Sequence, residues 1–140
     1  MRRVHYLSID AEKYDLPILH GLRASLGARA VDVVEFEYSR YVHTVPAQDG
    51  AWGNWTLRAA LAELHGYGYG CWWQSSAKRH GCLYPASGAC WRDGFECYFE
   101  RELRASQLCV NAGNLVCAHG HAGALLAAFA AECGAASRNR

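Results

Sequence analysis

Two carboxylates, Asp10 and Glu12, follow a short apolar segment near the start of the chain. Residues Val4–Ile9 show the pattern of a short strand that is covered on both faces. Asp10 then falls at the carboxyl end of that strand, where the ligands of open α/β sheets bind. A solvated turn residue is an equally open interpretation of Asp10. Glu12 is equally compatible with stabilising the N-terminus of a helix, which needs no ligand.

A second pair of carboxylates, Glu35 and Glu37, alternates with Val34 and Phe36 and therefore shares one face of a later strand. Glu37 stands at the carboxyl end of that strand, on the same rim as Asp10. Asp10 and Glu37 together could coordinate a divalent cation. Two groups are too few for a tight site, so the sequence predicts no metal site.

The elements that position these side chains form a compact strand, helix, strand unit. Asp15 is placed as the N-cap of the helix, Pro17 falls in its first turn, and Gly27 is placed as its C-terminal cap. The second strand, Val31–Tyr38, is rich in β-branched and aromatic residues. A unit of this kind almost always has parallel strands and a right-handed connection.

Further along, apolar periodicity and the positions of Gly and Pro residues predict a long loop, a helix, two strands, a closing helix and a frayed tail. Residues 75–107 carry no clean periodicity, although Phe95–Leu103 could be a short helix or strand. In chain order the predicted segments are Ser39–Trp55, Leu57–Gly66, Tyr69–Gln74, Asn114–Ala118, Ala122–Cys133 and the tail at 136–140.

The bulk composition excludes several classes of protein. The chain has 140 residues, one domain's length, and its net charge of +1 gives no electrostatic case for nucleic acid or an anionic membrane. Arg2 and Arg3 resemble the start of a signal peptide, but Asp10, Glu12 and Lys13 interrupt the apolar core that should follow. We therefore expect a soluble, cytoplasmic protein without nucleic-acid or membrane partners.

Seven cysteines are present, an odd number without close CxxC spacing. Cys71 and Cys117 lie in apolar segments, where a thiol behaves as a small hydrophobe. Cys82, Cys90 and Cys97 fall in a Gly-rich connection and could pair or bind metal. We expect a largely reduced set of structural thiols. His119 and His121 flank a glycine, which indicates a surface turn.

These features together resemble the second half of the FkbM family of S-adenosylmethionine-dependent methyltransferases. That family carries the pattern "Ile-Asp-x-Glu-Gly-x-(Asp/Glu)", then "x-x-Leu-x-Gly", after its fourth strand. Here the matching residues are Ile9, Asp10, Glu12, Asp15, Leu19 and Gly21. The run Val33–Tyr38 is similar to the family's fifth strand, and Asn114–Cys117 is similar to its late strand. The resemblance covers roughly residues 4–119.

Two departures accompany the resemblance. Lys13 replaces the usual Gly after Glu12. The Gly-rich turn and the acidic residue that hold the cofactor in the family's first half have no counterpart, and Gly66–Gly70 lies between a helix and a strand, the wrong order for such a turn. The resemblance therefore implies a partial Rossmann-like α/β fold with a mixed sheet and flanking helices. The C-terminal part of a methyltransferase domain would span 1–135, followed by a disordered tail at 136–140.

The resemblance also implies a function and its residues. Asp10, helped by Glu12, would act as the general base in methyl transfer to an oxygen of a small molecule or glycan, with S-adenosylmethionine as cofactor. Glu35, Glu37 and Tyr38 would form the rim for substrate or cofactor. The alternative is a non-catalytic α/β interaction module or an inactive relic. In either case the apolar strand Val4–Ile9 would be a bare sheet edge prone to self-association.

Overall fold

The computed structural model describes residues 3–11, 14–39, 56–74, 83–90 and 112–138. In these ranges five strands form one sheet in the order β1-β2-β5-β3-β4. The strands are β1 (Val4–Ile9), β2 (Val31–Ser39), β3 (Gly70–Gln74), β4 (Leu83–Pro85) and β5 (Ala112–Ala118), and the helices are α1 (Asp15–Gly21), α2 (Arg23–Gly27), α3 (Leu57–Gly66) and α4 (Gly120–Arg138). The predicted α/β class, with a mixed sheet and flanking helices, is confirmed.

The predicted strand, helix, strand unit is present. β1 and β2 are parallel neighbours, with Val4 opposite Val31 and Ile9 opposite Phe36. The backbone N–H of Val4 also donates to the carbonyl oxygen of Ala30 at 2.8 Å. Because the connection before β2 is short, β2 is expected to lie next to β1 in the sheet. The pairing therefore agrees with the sequence-based prediction.

The late strand β5 is inserted between two earlier strands. It runs antiparallel to β2, with Phe36 opposite Leu115, and antiparallel to β3, with Trp73 opposite Leu115. This confirms the order expected from the resemblance, in which Asn114–Ala118 separates the second strand from Cys71–Gln74. β4 was not predicted from the sequence. It is a three-residue edge strand that pairs with β3, and an edge is where Pro85 is tolerated.

The helix expected between β1 and β2 is divided into α1 and α2. Leu22 separates them at φ −88° and ψ 1°, just after Gly21, a residue that weakens helix interiors. Asp15 is the first helical residue and not the N-cap, a position that Tyr14 occupies. Gly27 is the last helical residue and not the cap, and the left-handed backbone conformation falls on Arg29, at φ 53°.

Apolar side chains fill both sides of the sheet. The larger cluster packs α1, α2 and α3 against one face, and the smaller cluster packs α4 against the other. Among the fully buried side chains of the larger cluster are Leu19, Leu26, Val34, Phe36, Leu57, Leu61 and Leu115. The smaller cluster contains Trp72, Leu83, Val116, Ala118 and Ala130. The molecule therefore has three layers: helices, sheet, helix.

Two expectations about the ends of the chain need correction. β1 was predicted to be covered on both faces, but Val4 is 44% and Tyr6 55% exposed, because β1 is an edge of the sheet that the described residues form. Residues 136–138 belong to α4 and not to a disordered tail. The predicted loop over residues 40–55 and the short element at Phe95–Leu103 lie outside the described residues.

The expectation of reduced thiols is wrong for two of the seven cysteines. Cys71 and Cys117 form a disulfide between β3 and β5, with Cα atoms 4.1 Å apart. The N–H of Cys71 donates to Ser87 Oγ at 3.0 Å, and its carbonyl oxygen accepts from Ala86 N–H at 2.8 Å. Both backbone groups therefore point away from β5. This makes Cys71 and Cys117 a non-hydrogen-bonded pair, the kind in which opposing side chains come closest.

None of the helices in the described ranges has the length and apolar character required to cross a membrane.

Candidate functional site

The carboxyl edge of the parallel pair brings together the ends of β1 and β2. Ile9 is opposite Phe36, so Asp10 and Glu37 each follow that pair by one residue at the same edge. Asp10 is exposed and Glu37 half-buried. The sequence therefore placed this pair on one rim correctly, and Asp10 is open to a ligand there.

Asp15 connects the segments at this edge, although the sequence identified it as a helix cap and a motif residue and not as a bridge. Its carboxylate is fully buried. Oδ2 accepts from the N–H of Ala11 at 3.3 Å, and Oδ1 accepts from the N–H of Glu37 at 3.4 Å. One side chain thus ties the segment after Asp10 and the end of β2 to the first turn of α1. A buried carboxylate is retained only when such partners compensate its desolvation.

The other predicted rim residues do not converge on that edge. Glu35 lies in mid-strand, where its carboxylate accepts from the Tyr6 hydroxyl and, at 2.7 Å, from Asn114 Nδ2. The hydrogen bond to Glu35, together with partial burial, raises the pKa of the Tyr6 phenol. Tyr38 is half-buried against the larger core cluster, and its ring meets Trp73 edge-on at 6.3 Å. Glu12 lies outside the described residues.

A polar cluster at the opposite, amino-terminal end of β2 was missed by sequence reasoning. Asp32 accepts hydrogen bonds from Arg3 Nε and, at 2.8 Å, from His5 Nδ1. Hydrogen bonding by His5, reinforced by Arg3, lowers the pKa of the Asp32 carboxyl. His119 Nε2 approaches Asp32 Oδ1 at 3.7 Å, beyond hydrogen-bond range.

His119 is not in a surface turn, as the His-Gly-His sequence indicated. It is 8% exposed, and its ring meets Tyr69 edge-on at 4.8 Å. The Tyr69 hydroxyl donates to the carbonyl oxygen of Val31, and burial raises the pKa of Tyr69 to about 12. His119 directly follows β5, an inner strand, and its ring is buried where it packs against Tyr69.

Within the described ranges, three distinct places offer polar groups to a ligand. They are the Asp10 rim, the Asp32 cluster and the face of the sheet around Glu35. Across the described ranges, no three His, Cys, Asp or Glu side chains are grouped closely enough to hold a metal ion. Comparison of the chain with protein-family models, with curated proteins and with solved structures gives no significant match.

Proposed function

We propose that this chain is the C-terminal half of an S-adenosylmethionine-dependent methyltransferase domain of the FkbM type, acting on an oxygen of a small molecule or glycan. One observation supports it above all: the sheet order β1-β2-β5-β3, in which the last strand returns antiparallel between two earlier ones. That is the order which the resemblance implies for the second half of the family's domain. The motif residue Asp10 also lies at the rim expected for the cofactor's methyl end.

The chain offers residues for only one end of the cofactor. In the sheet that the described residues form, β1 is an edge strand, and β2 is the one described strand beside Asp10. The sequence carries no Gly-rich turn between a strand and a helix that could hold the nucleoside. S-adenosylmethionine, when bound, supplies an electrophilic methyl group. The remaining strands of the site would have to come from an N-terminal half.

In this mechanism Asp10 would accept the proton of the acceptor hydroxyl. S-adenosylmethionine, when bound, would supply the methyl group to that oxygen and leave as S-adenosylhomocysteine as its sulfur–methyl bond breaks. General bases of this kind typically contribute about 10²–10⁴ in rate. Asp15 positions the segment through its bond to Ala11. Glu12 assists Asp10, while Glu37 borders the acceptor. Glu35 is hydrogen-bonded in mid-strand and the Tyr38 ring packs against Trp73, so Glu37, next to Asp10, is the rim residue best placed to contact the acceptor.

We expect Asp10→Asn to lower kcat about a hundredfold with little change in stability, because Asp10 is exposed and an amide cannot accept the proton. The measurement is methyl transfer by a hybrid polypeptide in which the N-terminal half of an FkbM methyltransferase precedes Val4. Asp32→Asn makes the same change at the opposite end of β2 and should leave kcat within about twofold. Equal activity of the Asp10→Asn hybrid and its parent would contradict the proposed role.

We also propose that the chain self-associates when it is alone, through the exposed edge of β1. β1 leaves one row of backbone N–H and C=O groups without strand partners in the described sheet, and Val4 and Tyr6 are exposed beside it. Unprotected edges of this kind recruit other chains. We expect sedimentation velocity to show concentration-dependent dimers, and Val4→Lys to shift the protein towards monomer. Ile18→Lys on α1, where the side chain is 40% exposed, is the matched control and should not change the proportion of dimer. A monomer at all concentrations would refute this.

A further inference from the structure

We propose that the groove between the sheet and α4 binds a small amphipathic cation, a molecule with an ammonium group and a short alkyl body. The proposal concerns a different surface from the Asp10 rim and does not depend on methyl transfer. It rests on the size and lining of the groove and on the partners of one carboxylate, Glu35.

The groove has the dimensions of a small-molecule site. Its volume is about 410 Å³, and its walls are almost entirely apolar, formed by Val33, Leu83, Val116, Ala122, Leu125 and Leu126. Tyr6, Glu35 and Gln74 supply its polar lining. Natural ligand sites of about 300–1,000 Å³ have this composition: an apolar body with a few polar groups that fix orientation. The walls fit an alkyl chain.

Glu35 determines the charge of the occupant. Its two oxygens each accept one hydrogen bond from a neutral donor, the Tyr6 hydroxyl and the Asn114 amide. A carboxylate offers about four acceptor positions, so about two remain for a ligand. Among the described residues, no cationic side chain is paired with Glu35.

Two other carboxylates of the same chain that bond to neighbouring side chains are paired with a cation, in contrast to Glu35. Glu63 also accepts from a tyrosine hydroxyl, that of Tyr67, but it is paired with Arg23 as well. Asp32 is paired with Arg3 and His5. The carboxylates of Glu63 and Asp32 have a cationic side chain as a neighbour, whereas the Glu35 carboxylate borders the apolar groove. A charge half-buried beside apolar walls favours a cationic partner, and an ammonium with an alkyl body satisfies both features of the site.

The test uses n-octylamine, 1-octanol and octanoate as probes of equal chain length, titrated into the full chain and followed by amide chemical shifts. We expect octylamine to bind about tenfold more tightly than octanol, since the ammonium adds a charge-assisted hydrogen bond, and octanoate not to bind. The shifts should centre on Val33, Val116 and Leu126. Equal affinity of octylamine and octanol in the wild-type protein, binding of octanoate, or no binding of any probe would overturn the proposal.

Two variants separate the charge from the cavity. Glu35→Gln should abolish the preference for octylamine over octanol while keeping octanol binding, and Glu63→Gln, on α3 at the other face, should preserve the preference. Leu125→Trp, at a side chain that is 58% exposed and lines the groove, should weaken both probes by partly filling it. A preference that survives Glu35→Gln would contradict the assignment. The wild-type comparison of the three probes decides the proposal even if a variant fails to fold.

Discussion

Reduction of the Cys71–Cys117 disulfide should lower the free energy of unfolding by about 4 kcal/mol. The bond joins residues 46 apart in sequence, and the loop-entropy model gives roughly that value for a closed loop of this size. Domains of ordinary stability unfold at a cost of about 5–15 kcal/mol, so the bond would supply a large share. The measurement is denaturant unfolding with and without reductant.

The double variant Cys71→Ala/Cys117→Ala is the control for the other five cysteines. It should be destabilised without reductant and should not respond when reductant is added. Peptide mapping of the unreduced, alkylated protein should recover Cys71 linked to Cys117. Identical unfolding curves for the wild-type protein in both conditions would contradict the bond. Because stable disulfides are typical of oxidising compartments, the cytoplasmic location stays a prediction to be tested in the cell.

Phe36→Ala should cost about 3–5 kcal/mol, the usual range for deleting a fully buried aromatic ring. Phe36 is 0% exposed at the middle of β2, between β1 and β5 in the sheet, and packs in the larger core cluster. The loss combines transfer free energy with the cavity that remains. Thermal or denaturant unfolding measures it directly.

Phe129→Ala makes the same chemical change on α4, where the ring is 45% exposed, and should cost under about 1 kcal/mol. A comparable loss for the two variants would mean that the Phe36 ring is not buried in the larger core cluster. Phe36→Leu should retain much of the stability, because it conserves most of the buried apolar volume.

The fold was largely predictable where the determining sequence pattern is local. The parallel pairing of β1 and β2 was predictable from an apolar run, a periodic helix and a short link. Strands joined by such a short crossover usually become parallel neighbours. The position of β5 between β2 and β3 was predicted from the resemblance alone. Strand pairing between residues about eighty positions apart has no local sequence pattern. β4 was not predicted, because a segment of three residues that includes Pro85 shows no strand pattern.

The candidate site was predictable in part. Strand ends identify Asp10 and Glu37. Nothing local shows that Asp15 connects their segments, since it does so by accepting from the backbone N–H groups of Ala11 and Glu37. The disulfide depended on the register between β3 and β5, which apolar patterning does not determine. The same holds for the burial of His119, which follows from the packing of Tyr69 beside it.

The affinity for S-adenosylmethionine tests the central proposal most directly. Isothermal titration should show micromolar binding by the hybrid polypeptide and no measurable binding by residues 1–140 alone. Losing most contacts to a ligand of this size removes several kcal/mol, and each 1.4 kcal/mol is about tenfold in affinity. Micromolar binding by the chain alone, or none by a hybrid that unfolds cooperatively, would contradict the assignment of this chain as the second half of such a domain.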